Sequence, residues 1–359
     1  MLSNLVVIPF ALSKKRKVLS VDQASPASKA VPLKKIAKSL RNEFYSAPLV
    51  RRRIEKVKRT SGLLPPFMIT SSGSAGSHLL GILLDSHPQI AVGPEVYLLN
   101  KREIYGDYAV FQENLAQWLS TGLTTAGPEQ DKRFVFDTEK YGWDRRLLPI
   151  LAQRTSSIRE FLDVFFGYFL LLRKKQMWGE KLPGNVNCIS EFLAAYPEGK
   201  IIHLVRDGRD VAASFAKRHI PLAKAAEIWL YANTVALQWQ DDPRFLLVRY
   251  EDLVNIPDET LQTIQKHLGV PCEDLVTLRA KNAYWHQIIR SENENIHQSW
   301  QHNPLLSPIS ASAVGSYHKK LTEGEMAAFC QFSIHDSEFS FPPHCAQTVG
   351  KLMKELDYL

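Results

Sequence analysis

Phe67-Met68-Ile69-Thr70-Ser71-Ser72-Gly73-Ser74-Ala75-Gly76-Ser77-His78-Leu79-Leu80 decides how this chain is read. Phe67 to Thr70 form a short buried strand and a run of small residues turns the chain. Leu79, Leu80, Leu83 and Leu84 then recur at helical spacing, in a helix expected from about His78 to Ser86. Gly73 and Gly76 let backbone N–H groups approach an oxyanion, and the helix points its positive dipole end at the same place. Gly73, Ser74, Ala75, Gly76, Ser77 and His78 are therefore read as an anion cradle, with a connection that binds nothing as the alternative. A Walker A loop would end in Gly-Lys-Ser/Thr. Gly76-Ser77-His78 stands there instead, with no lysine to meet a γ-phosphate.

Working outward, Pro65-Pro66 marks a boundary, because proline holds its predecessor extended. Further strands are expected at Arg133–Asp137, Met177–Glu180, Lys200–Arg206 and Phe245–Tyr250. Helical patterns lie between them, near Tyr108–Ser120, Ile158–Lys175, Cys188–Tyr196, Asp210–Arg218, Leu222–Gln240 and Asp258–Leu268. This alternation predicts an α/β fold, a three-layer parallel sheet flanked by helices, which binds ligands beyond the carboxyl ends of its strands. Residues 1–62 are read as a basic, flexible N-terminal extension and 63–359 as the domain.

The net charge of +7 on 359 residues divides unevenly. Residues 1–60 carry +12 and the remainder −5, so basicity belongs to the first segment and a nucleic-acid partner for the whole chain loses its first argument. No apolar run reaches the roughly 18 residues of a membrane span. Leu5 to Leu12 precede Lys14-Lys15-Arg16-Lys17, the reverse of the order in a secretory signal. The expected location is cytoplasmic, with organellar targeting or peripheral membrane contact through the basic segment as alternatives. Cys188, Cys272, Cys330 and Cys345 stand singly, without the spacing of a metal site or disulfide framework.

A second motif closes the Lys200–Leu204 strand: Val205-Arg206-Asp207-Gly208-Arg209-Asp210-Val211-Ala212-Ala213-Ser214. It delivers an arginine to the sheet's carboxyl edge and returns a hydroxyl eight residues later, where a phosphate would sit. With these residues in view, the chain from about residue 66 onward resembles the sulfotransferases that use 3′-phosphoadenosine 5′-phosphosulfate (PAPS), nearer their tyrosylprotein and carbohydrate branches. Phe67–Pro88 is similar to the family's 5′-phosphosulfate loop, and Val205–Ser214 to its 3′-phosphate element. Phe245–Leu253 is similar to its strand leading into Tyr-Glu-Asp-Leu, and Pro308–Lys320 to the late segment that closes over the nucleotide.

The resemblance implies a P-loop nucleoside triphosphate hydrolase-like architecture. It also implies transfer of a sulfuryl group from PAPS to a hydroxyl or amine of a carbohydrate, peptide or small-molecule acceptor, with no metal. Glu95 becomes the base, or else a turn carboxylate behind Pro94. Lys181 becomes a stabiliser of sulfuryl or phosphate oxygens, or a solvated lysine at a strand end. Arg206 and Ser214 would hold the 3′-phosphate, with an ion pair to Asp207 or Asp210 as the other reading. Tyr250 would touch the nucleotide or serve as an ordinary sheet tyrosine, and Lys319 and Lys320 would reach the phosphates or begin a solvated helix.

One departure stands out. Where the family carries arginine or lysine in its first loop, this chain has Ser74, and His78 is either a replacement donor or a half-buried histidine at a helix start. Two other functions stay open on the sequence: a P-loop kinase using ATP, and a catalytically silent nucleotide-binding or scaffold protein of the same fold. The acceptor pocket is expected around Tyr97–Asp107, Gly122–Lys132 and Tyr284–Asn303, with Tyr97, Tyr105, Trp285 and Trp300 as lining or core aromatics. Oligomeric state is not legible.

Overall fold

In the computed structural model, which describes residues 33–96, 98–100, 102–121, 138–295 and 305–359, five strands build one sheet. They are β1 (Phe67–Ser71), β2 (Ile90–Val92), β3 (Met177–Lys181), β4 (Lys200–Val205) and β5 (Phe245–Arg249). Their order is β2-β3-β1-β4-β5 and every pairing is parallel. β1 lies at the centre because its five residues are all buried, and both edges of its backbone need partners. Helices supply the crossovers that parallel pairing requires, so the chain is α/β with a parallel sheet, as the alternation predicts.

Two side-chain networks fix the sheet to its helices. His203 of β4 lies between Thr70 of β1, at 2.8 Å from its hydroxyl, and Asn233 of helix Leu222–Leu237, at 2.9 Å. Burial lowers the His203 pKa to about 4, so the ring is neutral and serves as a structural tie. At the far end of helix Ser77–Asp85, the buried Asp85 carboxylate accepts from the Val92 amide at 2.8 Å, from Arg173 at 2.9 Å and from Asn282 at 2.8 Å. That anchors β2, a strand of three residues that the sequence reading missed because three residues are too few for a periodicity. The strand expected at Arg133–Asp137 lies outside the described residues.

The aromatic half of the core gathers on helix Ile158–Arg173. Phe166 stacks on Trp178 of β3 with centroids 4.1 Å apart, and Phe165 and Phe169 pack around Tyr141. Ser157 caps this helix by accepting from the Glu160 amide at 3.1 Å.

Ordered structure precedes residue 63: residues 43–359 form one compact unit that includes the later turns of helix Leu33–Lys58. Val50, Ile54 and Val57 on its last turns are buried. Arg53 donates to the Gly142 carbonyl at 2.7 Å and lies over the Trp143 and Tyr168 rings. Positive charge hid this apolar stripe, since Arg51-Arg52-Arg53 reads as solvated until the i, i+4, i+7 spacing of the three aliphatic residues is set beside it. Each such burial contributes about 1.5–3 kcal/mol. A chain starting at residue 63 should therefore melt well below one starting at residue 43. Equal melting temperatures would show that this helix adds nothing to the domain.

Candidate active site

All strands are parallel, so the segments that leave them meet at one edge. Register places Ile69 of β1 beside Lys181 and Ser71 beside Leu204, and Val205 beside Arg249. The turn after β1, Lys181 at the end of β3, Arg206 after β4 and Tyr250 after β5 therefore converge from four strands.

The turn is held in a conformation that few residues adopt: φ is +78° at Gly73, +51° at Ser74 and +93° at Gly76. A Cβ at Gly76 would come within 2.4 Å of the Tyr250 ring, so only glycine lets that ring close on the turn. Ser74 is the crossing point. Its carbonyl accepts from Arg206 Nη1 at 3.1 Å, and its hydroxyl accepts from Ser214 at 3.2 Å and from Arg218 Nη2. Tyr250 lies under the Arg206 guanidinium at 4.5 Å.

Arg206 is 6% exposed. Its Nη2 donates to the Ala313 carbonyl at 2.5 Å and stands 3.6 Å from Asp210, so the ion-pair alternative is realised with Asp210. Asp207 pairs with Arg209 instead, at 2.7 Å. Asp210 does a second task that sequence reasoning missed. Fully buried, it accepts from the Gly315 amide at 2.8 Å, the Ser316 hydroxyl at 2.9 Å and the Tyr317 amide at 3.0 Å, clamping the late segment to the sheet edge. Its place in the first turn of the helix that follows Arg206, four residues on, was the available signal. Lys320 is exposed at its surface, and partial burial first, then the charges of Lys217 and Arg206, lower its pKa. Lys319 is exposed and makes no hydrogen bond or ion pair among the described residues.

The second group surrounds Lys181, whose Nζ meets Glu95 Oε1 at 2.7 Å. Lys181 is 2% exposed whereas Glu95 keeps 29% of its side chain open, so the carboxylate faces the edge and the ammonium backs it. Gly93-Pro94-Glu95 is pinned from three sides: Tyr141 donates to the Pro94 carbonyl at 2.6 Å, Trp285 to the Val92 carbonyl at 3.1 Å, and the Val96 amide to Glu180 at 3.3 Å. His78 is half-buried with its Nε2 sealed from solvent and its ring edge-on to Trp285 at 5.1 Å. Burial first, then Lys181, push its pKa down to about 3, so at neutral pH it carries no charge to replace a loop cation. Trp285 is fully buried, and Tyr105 bonds to the Leu99 carbonyl at 3.2 Å; Tyr97 and Trp300 lie outside the described residues.

Glu180, beside Lys181, is fully buried and receives the Asn185 amide as well as Val96. Desolvation raises its pKa to about 8 from 4.5. The folded state holds this proton while the unfolded chain releases it above about pH 4.5, so stability falls as pH rises toward 8, by at most about 1.4 kcal/mol per unit. His78 and His203 act in the opposite direction, costing stability below 6.5, where the unfolded chain takes up protons they refuse. Glu180→Gln should therefore flatten the loss of urea resistance between about pH 6 and pH 8 and leave the acid side unchanged. Identical profiles for variant and wild type would show that Glu180 is ionised throughout.

The profile of the sulfotransferase family matches residues 65–274, more than half of the chain. The chain belongs to the sulfotransferase family. This sulfotransferase is an enzyme whose matched segment contains the turn, Glu95, Lys181 and the whole Arg206–Ser214 element. The sulfotransferase domain from the curacin biosynthetic pathway is 19% identical, covering 83% of this chain and 99% of that one, with a TM-score of 0.48. The sulfotransferase domain of the Synechococcus PCC 7002 olefin synthase is 18% identical over 84% of this chain and 98% of its own, at TM-score 0.45. A mouse sulfotransferase complexed with PAP is 14% identical over 74% of this chain and 81% of its own, at TM-score 0.36. Among the curated proteins nothing matches. The assignment rests on the family profile, and it leaves the kinase reading without support.

Among the described residues no group of His, Cys, Asp or Glu could hold a metal ion, and no helix is long and apolar enough to cross a membrane. The four cysteines are free thiols.

Proposed function

We propose that this sulfotransferase takes its sulfuryl group from PAPS and passes it to a hydroxyl or amine of a carbohydrate, peptide or small-molecule acceptor. The observation that carries the reading is the convergence on Ser74: a strained turn, a buried arginine and a serine hydroxyl from a second strand-helix junction meet at one parallel-sheet edge. The residues fit an anionic nucleotide. Arg206 Nε is buried without a partner among the described residues, which is costly unless an anion completes it.

PAPS, when bound, supplies a sulfuryl group on a phosphate leaving group. Arg206 and Ser214 hold the 3′-phosphate, with Tyr250 beneath the arginine and Lys320 adding positive potential from the clamped segment. Backbone amides of residues 73–77 and the amino end of helix Ser77–Asp85 receive the 5′ side. Glu95 takes the acceptor's proton, and Lys181 holds that carboxylate in place. His78, neutral and sealed, orients the helix start against Trp285 and takes no part in the proton transfer.

Residues 63–359 carry this whole arrangement, and we assign the basic stretch before residue 43 to targeting or association. Calorimetric titration with adenosine 3′,5′-bisphosphate tests the nucleotide reading: saturable binding of one molecule per chain is expected without added metal. Heat only on adding ATP with magnesium would contradict it.

A further inference from the structure

Residues 71–78 bring no working cation to the 5′ side: they read Ser-Ser-Gly-Ser-Ala-Gly-Ser-His, and the single ionisable group, His78, is neutral. Lys181 is committed to Glu95, and Arg206 to two carbonyls and Asp210. A leaving phosphate that gains charge at this turn still calls for a fixed cation. Arg218 occupies that place. Its Nη2 donates to the Ser74 hydroxyl, one helical turn beyond Ser214, which donates to the same oxygen. The guanidinium lies over the Phe215 ring at 4.7 Å. Phe215 in turn packs on the turn itself, where a Cβ on Gly73 would come within 3.3 Å of its ring. One aromatic side chain therefore holds both the loop and the cation that faces it. Arg218 is exposed and makes no ion pair among the described residues, which is unusual for an arginine drawn against a buried turn. Burial lowers the Arg218 pKa and the Glu95 charge opposes that shift, so the guanidinium and the carboxylate act on one another electrostatically.

We propose that Arg218 binds the 5′-phosphosulfate end of the donor, supplying from the helix Gly208–Ala216 side the positive charge that Ser74 leaves out of the turn. In transfer, the acceptor oxygen forms its bond to sulfur as the sulfur–oxygen bond to the 5′-phosphate breaks. The electron pair goes to that phosphate oxygen and the acceptor's proton to Glu95. Arg218 stands where the phosphate's new charge appears. Ser74 is then a relay of position: a small hydroxyl accepting from Arg218 and Ser214 leaves room for a guanidinium that a longer side chain would displace.

This inference rests on the PAPS reading, and two ligands separate the two. Adenosine 3′,5′-bisphosphate carries the 5′-phosphate and adenosine 3′-monophosphate lacks it. By calorimetry, Arg218→Ala should weaken the bisphosphate about 10- to 100-fold while changing the monophosphate by less than about twofold. Arg206→Lys should weaken both. Arg218→Lys, which keeps the charge without the fork, should recover part of the loss, and it carries the comparison alone if the alanine variant does not fold. Equal losses for both ligands would make Arg218 a structural support of the turn and overturn the inference, as would unchanged affinity for the bisphosphate. A wild type that binds the monophosphate as tightly as the bisphosphate would overturn it while leaving the nucleotide reading in place. A wild type that binds neither removes the donor reading and the inference with it.

Discussion

Glu95→Gln should bind adenosine 3′,5′-bisphosphate as wild type does and turn over about 10²- to 10⁴-fold more slowly. The amide keeps the size of the carboxylate and still accepts from Lys181, so the backbone from Gly93 to Val96, pinned by Tyr141, Trp285 and Glu180, has no reason to move. What is lost is the capacity to take a proton. Single-turnover rates separate this from a binding defect, because a positioning role would raise the apparent KM and leave the chemical step nearly intact. Unchanged kcat would remove Glu95 as base and turn attention to a group on the acceptor side.

Arg206→Ala is the second large effect, and it strikes twice. Without the guanidinium, Asp210 is left buried beside the late segment with its charge uncompensated, and the Ser74 and Ala313 carbonyls lose their donor. Breaking a buried pair costs about 3–5 kcal/mol, so the variant should melt markedly lower. Arg206→Lys keeps the charge and most of the fold while removing the planar fork, and it should still lose most of the bisphosphate's stabilising effect on melting. If the lysine variant were stabilised by the bisphosphate as strongly as wild type, the buried Arg206–Asp210 pair would be purely structural.

The sequence made the sheet edge legible because its signals are local: an apolar run, glycines at two left-handed positions, and an arginine where a buried strand ends. Clusters that depend on two distant segments were harder to see. Arg218 reads in sequence only as the end of a helix, since nothing in Lys217-Arg218-His219 reports that residue 74 lies across from it. Asp210 read as a partner for Arg206, and only the fold brings Gly315, Ser316 and Tyr317 to its other lone pairs. β2 escaped because three residues carry no periodicity, and its ties to Asp85, Trp285 and β3 come from other segments. The helix ending at Lys58 escaped because its charge outweighed its stripe of Val50, Ile54 and Val57.

The charge division acquires a mechanism from this geometry. Binding a polyanion does not need a basic surface when Arg206, Arg218, Lys181 and Lys320 are gathered at one edge of a body that is negative overall. Arg206 and Lys181 are buried and so less screened than the +12 of residues 1–60, whereas Arg218 and Lys320 are exposed. Raising salt should therefore weaken nucleotide binding only in part, through the two exposed cations.

Sulfuryl transfer itself decides between an active enzyme and a silent binder. Incubation with PAPS carrying a radiolabelled sulfuryl group, in the presence of a panel of hydroxyl and amine acceptors, should yield labelled acceptor and adenosine 3′,5′-bisphosphate in equal amounts, and Glu95→Gln should abolish both. Tight bisphosphate binding with no labelled product across carbohydrate, peptide and small-molecule acceptors would contradict the account.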